Sequence, residues 1–160
     1  RVVNGVDGAV AALSVLIKYE NYHDVLKGKS PDARKLLECY TVAEKEFNRL
    51  LKDFDKNKKK SGKFVTFEVR SKYNMKSPLA GYLAKTLTNE VLVIYQKIGK
   101  YINVSFRRGK VSIADLNQLA ANLVKNIPDS NGGGHIQASG ATLPAIHLNK
   151  FLRNLKSIKP

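Results

Sequence analysis

The sequence predicts an α/β domain, a small mixed β-sheet flanked by helices and preceded by a long linker helix. Three observations point to it. Apolar residues recur at helical spacing up to about residue 54 and alternate, as in a strand, after residue 63. Beyond that change the chain runs β-α-β-β-α-(glycine loop)-β-α. Hydrophobic content of 43% against 26% charged residues is enough for a core in a chain of 160 residues.

Each element follows from its local pattern. Asp7 to Ile17 is compact and apolar and reads as a buried helix, with Asn21 to Gly28 as a connection. Ser30-Pro31 supplies an N-cap and a first-turn proline. From there Ala33, Leu36, Leu37, Tyr40, Ala43, Phe47, Leu50, Leu51 and Phe54 form the apolar stripe of one long helix over about residues 31–54. Lys56 to Lys63 is a basic, flexible boundary, so residues 1–55 form a helical segment or linker and residues 56–160 a separate domain. Phe64 to Arg70 alternates, with Val65, Phe67 and Val69 on one face. Ser77-Pro78 caps a short helix to about Thr88, and Val91 to Tyr95 is a central strand. Tyr101 to Arg107 is the next strand, with Ile102, Val104 and Phe106 facing inward and Asn103, Ser105 and Arg107 sharing the other face. Ser112 caps a second amphipathic helix, with Asp115 in its first turn. Residues 138–143 are small and suit a tight strand, and Pro144 opens the last helix.

The charge is unevenly placed. Residues 1–55 carry nine basic and nine acidic side chains, whereas residues 56–160 carry nineteen basic against four acidic, which is the whole net charge of +15. No acid follows Asp129. Such a concentration is the electrostatic footprint of a phosphate-backbone binder. The single cysteine, Cys39, excludes an internal disulfide framework and suits a reducing compartment. No apolar run approaches the roughly 18 residues of a membrane span, and no secretory leader is evident. The expectation is a cytoplasmic protein without a membrane partner.

The candidate site is the run Gly132-Gly133-Gly134-His135. Consecutive glycines permit backbone conformations closed to other residues, and their N–H groups can converge into a nest that holds an anion. A helical turn starting at His135 would add its dipole. A glycine triplet alone also fits a flexible turn, but the longer string is more specific. Gly132-Gly133-Gly134-His135-Ile136-Gln137-Ala138-Ser139-Gly140-Ala141-Thr142-Leu143 resembles the signature of the DHH-associated, C-terminal domain of DHH-family phosphoesterases. Val104-Ser105-Phe106-Arg107-Arg108-Gly109-Lys110 resembles the same family's strand motif, in which Ser-x-Arg ends a strand. The resemblance covers about residues 62–158.

It implies that Gly132, Gly133, Gly134 and His135, together with Arg107 and with Ser105 in support, bind a substrate phosphate. Arg108 stands where the family often has Ser and would extend those contacts. The family's catalytic domain holds two divalent metals, manganese or magnesium, through several Asp and His residues, including an Asp-His-His triplet. This chain has three His and no such triplet, with Asp7, His23 and Asp24 as the only loose candidates in its N-terminal third, so no catalytic residue, metal or cofactor is expected in it. Residues 1–55 read either as the tail of a catalytic domain or as part of a non-catalytic relative.

Three functions follow from the resemblance. The first is a single-stranded DNA or RNA binding domain of a RecJ-type exonuclease, non-catalytic by itself. The second is a non-catalytic replisome scaffold related to it that binds GINS-like proteins. The third is a fragment of an oligonucleotide or nucleotide phosphatase.

Overall fold

The computed structural model describes residues 5–158 and divides the chain into two compact units. One comprises the residues up to Leu51 together with Ser71–Met75, and the other Lys52–Arg70 with the residues from Lys76 onward.

The first unit is helical, with α1 (Gly5–Leu16), α2 (Tyr22–Leu26) and most of α3 (Pro31–Asn57). The expected start of α3 holds, because Ser30 Oγ accepts the Ala33 N–H at 3.1 Å and Pro31 fills the first turn, where no N–H is needed. Gly28 takes φ 61°, a left-handed turn, and its carbonyl accepts from Arg34 Nη1 at 3.0 Å. Three expectations change here. The connection over 21–28 contains α2, capped by the Asn21 side chain on the His23 N–H. Tyr40, placed on the apolar stripe by spacing, is exposed and donates its hydroxyl to Glu44 Oε1 at 2.7 Å. Helix α1 exists as expected but is not buried: Val10, Leu13 and Leu16 are all exposed, as is Ile17 just beyond its end.

The second unit is built on a six-stranded mixed sheet of order β1-β2-β3-β4-β6-β5. Its strands are β1 (Lys59–Ser61), β2 (Phe64–Glu68), β3 (Val91–Ile98), β4 (Tyr101–Arg108), β5 (Asn131–His135) and β6 (Ala138–Pro144). Only β2 and β3 are parallel, and α4 (Lys76–Ala84) supplies the crossover that parallel neighbours require. Every other pairing is antiparallel. Helix α5 (Leu116–Val124) lies between β4 and β5 in the chain, and α6 (Leu148–Ser157) follows β6 after a short 3-10 turn at Ala145–His147.

One face of the sheet is an apolar core against α5 and α6. It joins Val91 and Val93 of β3, Ile102, Val104 and Phe106 of β4, and Ala141 and Leu143 of β6 to Leu116, Ala120, Leu123, Phe151 and Leu155. Phe106 and Phe151 meet edge to face at 6.3 Å between centroids. The alternation read from residues 101–107 is therefore the alternation observed. Phe67, on the other face of β2, packs edge to face on Phe54 at 5.4 Å.

Several boundaries differ from the sequence reading. The basic stretch 56–63 is not an unstructured boundary: Lys59–Ser61 pairs with Phe64–Thr66 around Gly62, which has φ 54°. Helix α5 begins three residues later than Ser112 suggests, because Asp115 is the cap and its Oδ1 accepts from Asn117 N and Gln118 N at 3.0 and 3.1 Å. The largest difference concerns the glycines. Residues 131–135 form an edge strand paired with β6, not a loop at a helix start. In an extended strand successive N–H groups alternate direction, so three of them cannot converge on one anion.

Candidate functional site

The antiparallel registers place residues of β4, β6 and β5 in lateral rows. Asn103 lies opposite Thr142, and Thr142 opposite Asn131. Ser105 lies opposite Gly140, and Gly140 opposite Gly133. Arg107 lies opposite Ala138, and Ala138 opposite His135. Paired residues point to the same side of a sheet, so β4's polar side chains stand on the side away from α5. In the central row only Ser105 carries a side chain, and the surface there is backbone.

An open groove of about 470 Å³ runs over this half of the sheet, lined by Lys76, Asn103, the glycines 132–134, Gly140 and Thr142. Thr142 Oγ1 and Asn103 Oδ1 hydrogen-bond at 3.1 Å across one end. At the side, Lys76 comes from the first position of α4. Its Nζ donates to Ser105 Oγ at 2.8 Å and to Val104 O at 3.3 Å. Burial pushes the Lys76 ammonium below its ordinary pKa, and the neighbouring Arg107 charge adds to the shift. Burial also lowers Arg107, whose Nη1 donates to Phe106 O at 2.8 Å. Among the described residues neither cation pairs with a carboxylate. Two like charges, partly dehydrated and uncompensated, make a surface that an anion would stabilise.

The glycines have separate reasons. A Cβ on Gly132 would lie 2.5 Å from Ala120 O, so this residue lets β5 lie directly against the backbone of α5. Gly134 has φ 143°, and a Cβ there would sit 2.9 Å from Ser139 Cα. Its N–H is already used, donating to Asn117 Oδ1 at 2.9 Å. Gly133 lies between them beside Gly140, lining the groove.

Of the residues singled out in the sequence, the structure brings Gly132, Gly133 and Gly134 into the groove, with Ser105 buried beside it in the row of Gly140 and Gly133. It sets Arg107 and the exposed His135 in the adjoining row. Arg108 is turned away from them. Its guanidinium donates to the carbonyls of Ala114 and Ile113, holding the loop that leads into α5. Sequence reasoning missed Lys76, Asn131, Gly140 and Thr142. Lys76 had no local signal, being one lysine ahead of a Ser-Pro helix start. Gly140 and Thr142 could have been found by pairing the small-residue strand with the Arg-bearing one and reading across it. Among the described residues no group of three or more His, Cys, Asp or Glu is placed to hold a metal, so the residues present do not fit a two-metal centre. No helix among them is long and apolar enough to cross a membrane.

Several solved structures are similar to this chain. A pGpG-specific phosphodiesterase from Vibrio cholerae shares the fold, with a TM-score of 0.60 at 13% identity, over 98% of this chain and 52% of its own. The C-Ala domain of alanyl-tRNA synthetase from Aquifex aeolicus gives 0.48 at 21% identity, over 62% of this chain and 95% of that domain. The DHH domain of a protein assigned to a ribosomal-protein family gives 0.49 at 18% identity, over 81% of this chain and 35% of its own. This chain thus spans about half of the phosphodiesterase and about a third of the last protein. No curated protein matches it significantly. Residues 61–159, which include the whole groove, match the DHHA1 domain, and the chain belongs to that DHH-associated family.

Proposed function

We propose that this chain binds the phosphate backbone of single-stranded nucleic acid, as the non-catalytic binding domain of a RecJ-like DHH phosphoesterase. The observation that carries the reading is the pair Lys76 and Arg107, two uncompensated cations beside a strip of sheet whose glycines leave the backbone bare. Phosphates would lie along the glycine strip, with Arg107 and His135 at one end. Bases would point outward, which gives little sequence preference. Manganese or magnesium chemistry would belong to a separate catalytic domain, since the described residues supply no ligand set for it. Membership of the DHHA1 family and the basic excess of residues 56–160 support the same reading.

A second reading is favoured by one neighbour. The Vibrio cholerae protein is named for a dinucleotide, pGpG, and its fold likeness covers 98% of this chain. The groove would then hold the phosphates of a very short substrate.

Titration of labelled single strands of increasing length, by fluorescence anisotropy at several salt concentrations, separates the two. Affinity that climbs with length and falls steeply with salt, as counterions are released, is expected for the backbone binder. A plateau at two or three nucleotides would support the short-substrate reading. Absence of salt-sensitive binding, with retained binding to a GINS-like protein, would sink both and leave the scaffold.

A further inference from the structure

We infer that Lys76 is a direct phosphate ligand of this groove and a proton-dependent one, adding a contact from α4 that neither the glycine run nor the strand arginine provides. The inference deepens the reading above and rests on it for the identity of the natural ligand.

Lys76 starts α4, an element that packs on the opposite side of the sheet from the apolar core. Its ammonium crosses to β4 and donates to Ser105 Oγ and Val104 O. An ammonium carries three protons, and these two bonds leave one unused. Lys76 also lines the open groove with the glycines, so the remaining donor has access to whatever enters. Helix-to-sheet anchoring alone would be served as well by a neutral donor. A lysine with no carboxylate partner among the described residues, half-buried beside an arginine, is an arrangement that an incoming anion improves.

The charged groups facing Lys76 can be named. From β4 there is Arg107, whose charge opposes protonation of Lys76. Ser105 on β4 and Asn103, Thr142 and Asn131 around the groove are neutral, and α4 itself contains no other charged residue. His135 stands in the row of Arg107 across Ala138. Lys76 is lowered from its ordinary value, first by burial and then by Arg107. Phosphate binding needs the protonated form. Affinity should thus be complete below the free-state pKa of Lys76 and fall as pH rises through it, earlier than for a solvated lysine. The bound anion raises that pKa, so binding is accompanied by proton uptake on the alkaline side.

The test uses the full chain with two probes, a single-stranded oligonucleotide and inorganic pyrophosphate, titrated from neutral to alkaline pH by calorimetry. Three proteins are compared: the parent, Lys76→Met and Lys76→Arg, with circular dichroism to confirm the fold of each. Lys76→Met should bind both probes roughly 10- to 100-fold more weakly, the effect of losing one charge-assisted hydrogen bond. Its pH dependence should also flatten. Lys76→Arg should recover affinity while staying flat with pH, because a guanidinium does not titrate there. If Lys76→Met folds and binds pyrophosphate with the parent's affinity and pH profile, the inference is overturned. Should Lys76→Met fail to fold, Lys76→Arg decides: a parent-like decline in affinity with pH would overturn it. Lys76-dependent binding of pyrophosphate without any binding of oligonucleotides would uphold the ligand role and remove the nucleic-acid reading. Binding of neither probe overturns both.

Discussion

Strand β4 presents opposite chemistries on its two sides. Ile102, Val104 and Phe106 are nearly inaccessible and are closed over by α5 and α6. Asn103, Ser105 and Arg107, interleaved with them, stand on a side that is closed only in part, where α4 brings a lysine to Ser105. The difference shows how one strand separates stability from recognition. Apolar surface removed from water contributes roughly 25 cal/mol per Å², and that contribution lies on one side alone. The other side retains exposed backbone and cations that pair with no carboxylate among the described residues, features that cost stability and are retained where a ligand offsets the cost.

The strongest way to break this separation is to change the apolar side. Phe106→Ala removes a fully buried ring that touches Phe151, and should cost about 3–5 kcal/mol in chemical denaturation. In the fraction that remains folded, oligonucleotide affinity should match the parent. A folded variant with weakened binding would mean that the two sides are coupled.

The reverse experiment is Arg107→Ala. It should lower phosphate or oligonucleotide binding by about 1.5–3 kcal/mol, the range for a charge-assisted hydrogen bond. Unfolding should shift by no more than about 0.5 kcal/mol, because the arginine leaves behind no carboxylate among the described residues. Anisotropy and urea melts on the same sample read both numbers. Unchanged binding at moderate salt would remove Arg107 from the site.

How much of this was legible in the sequence follows from the range of each interaction. The two sides of β4 were readable because alternation is a local property of a strand, and Val65, Phe67 and Val69 were readable for the same reason. The start of α3 was readable because Ser30 and Pro31 act within one turn. The role of Gly132 was not, since it depends on a helix backbone 2.5 Å from a Cβ that the residue does not have. Three glycines suggested a nest, but their pairing with residues 139–141 turned them into an edge strand. Lys76 was invisible for a similar reason, lying 29 positions from the serine it reaches. Arg108 misled because adjacent residues of a strand point to opposite sides, so it could not share a face with Arg107. The exposed apolar residues of α1 show the converse: composition identifies an apolar helix but not what covers it.

A smaller effect sharpens the comparison at the helix that closes the core. Asp115→Ala removes the acceptor for Asn117 N and Gln118 N and should cost about 1 kcal/mol in stability. Asn117 also holds the Gly134 N–H, so fraying of this first turn would reach the glycine strand. Amide exchange at Gly134 should accelerate in the variant while that of β3 stays slow. Unchanged exchange at Gly134 would show that the edge strand is fixed by β6 alone.

The smallest effect comes from a lysine that does have a partner. Lys60 on β1 donates to Glu90 Oε1 at 2.9 Å, whereas Lys76 has only neutral oxygens. The Lys60 ammonium, with the backbone N–H groups of the turn at Thr88, holds the Glu90 carboxyl down at about 2 from an ordinary 4.5. Because the folded value lies below the unfolded one, the carboxylate's contribution is complete above about pH 4.5 and is lost as pH falls through about 2. Carbon-detected NMR of the Glu90 carboxyl should show a midpoint near 2, and a midpoint near 4.5 would refute the pairing. Glu90→Gln at neutral pH should slightly lower stability, since a neutral amide replaces an exposed ionic partner. It should leave anion binding untouched. If it strengthens binding instead, the charge of Lys60 reaches the groove, and phosphate is attracted by the charge of the whole basic unit rather than by Lys76 and Arg107 in particular.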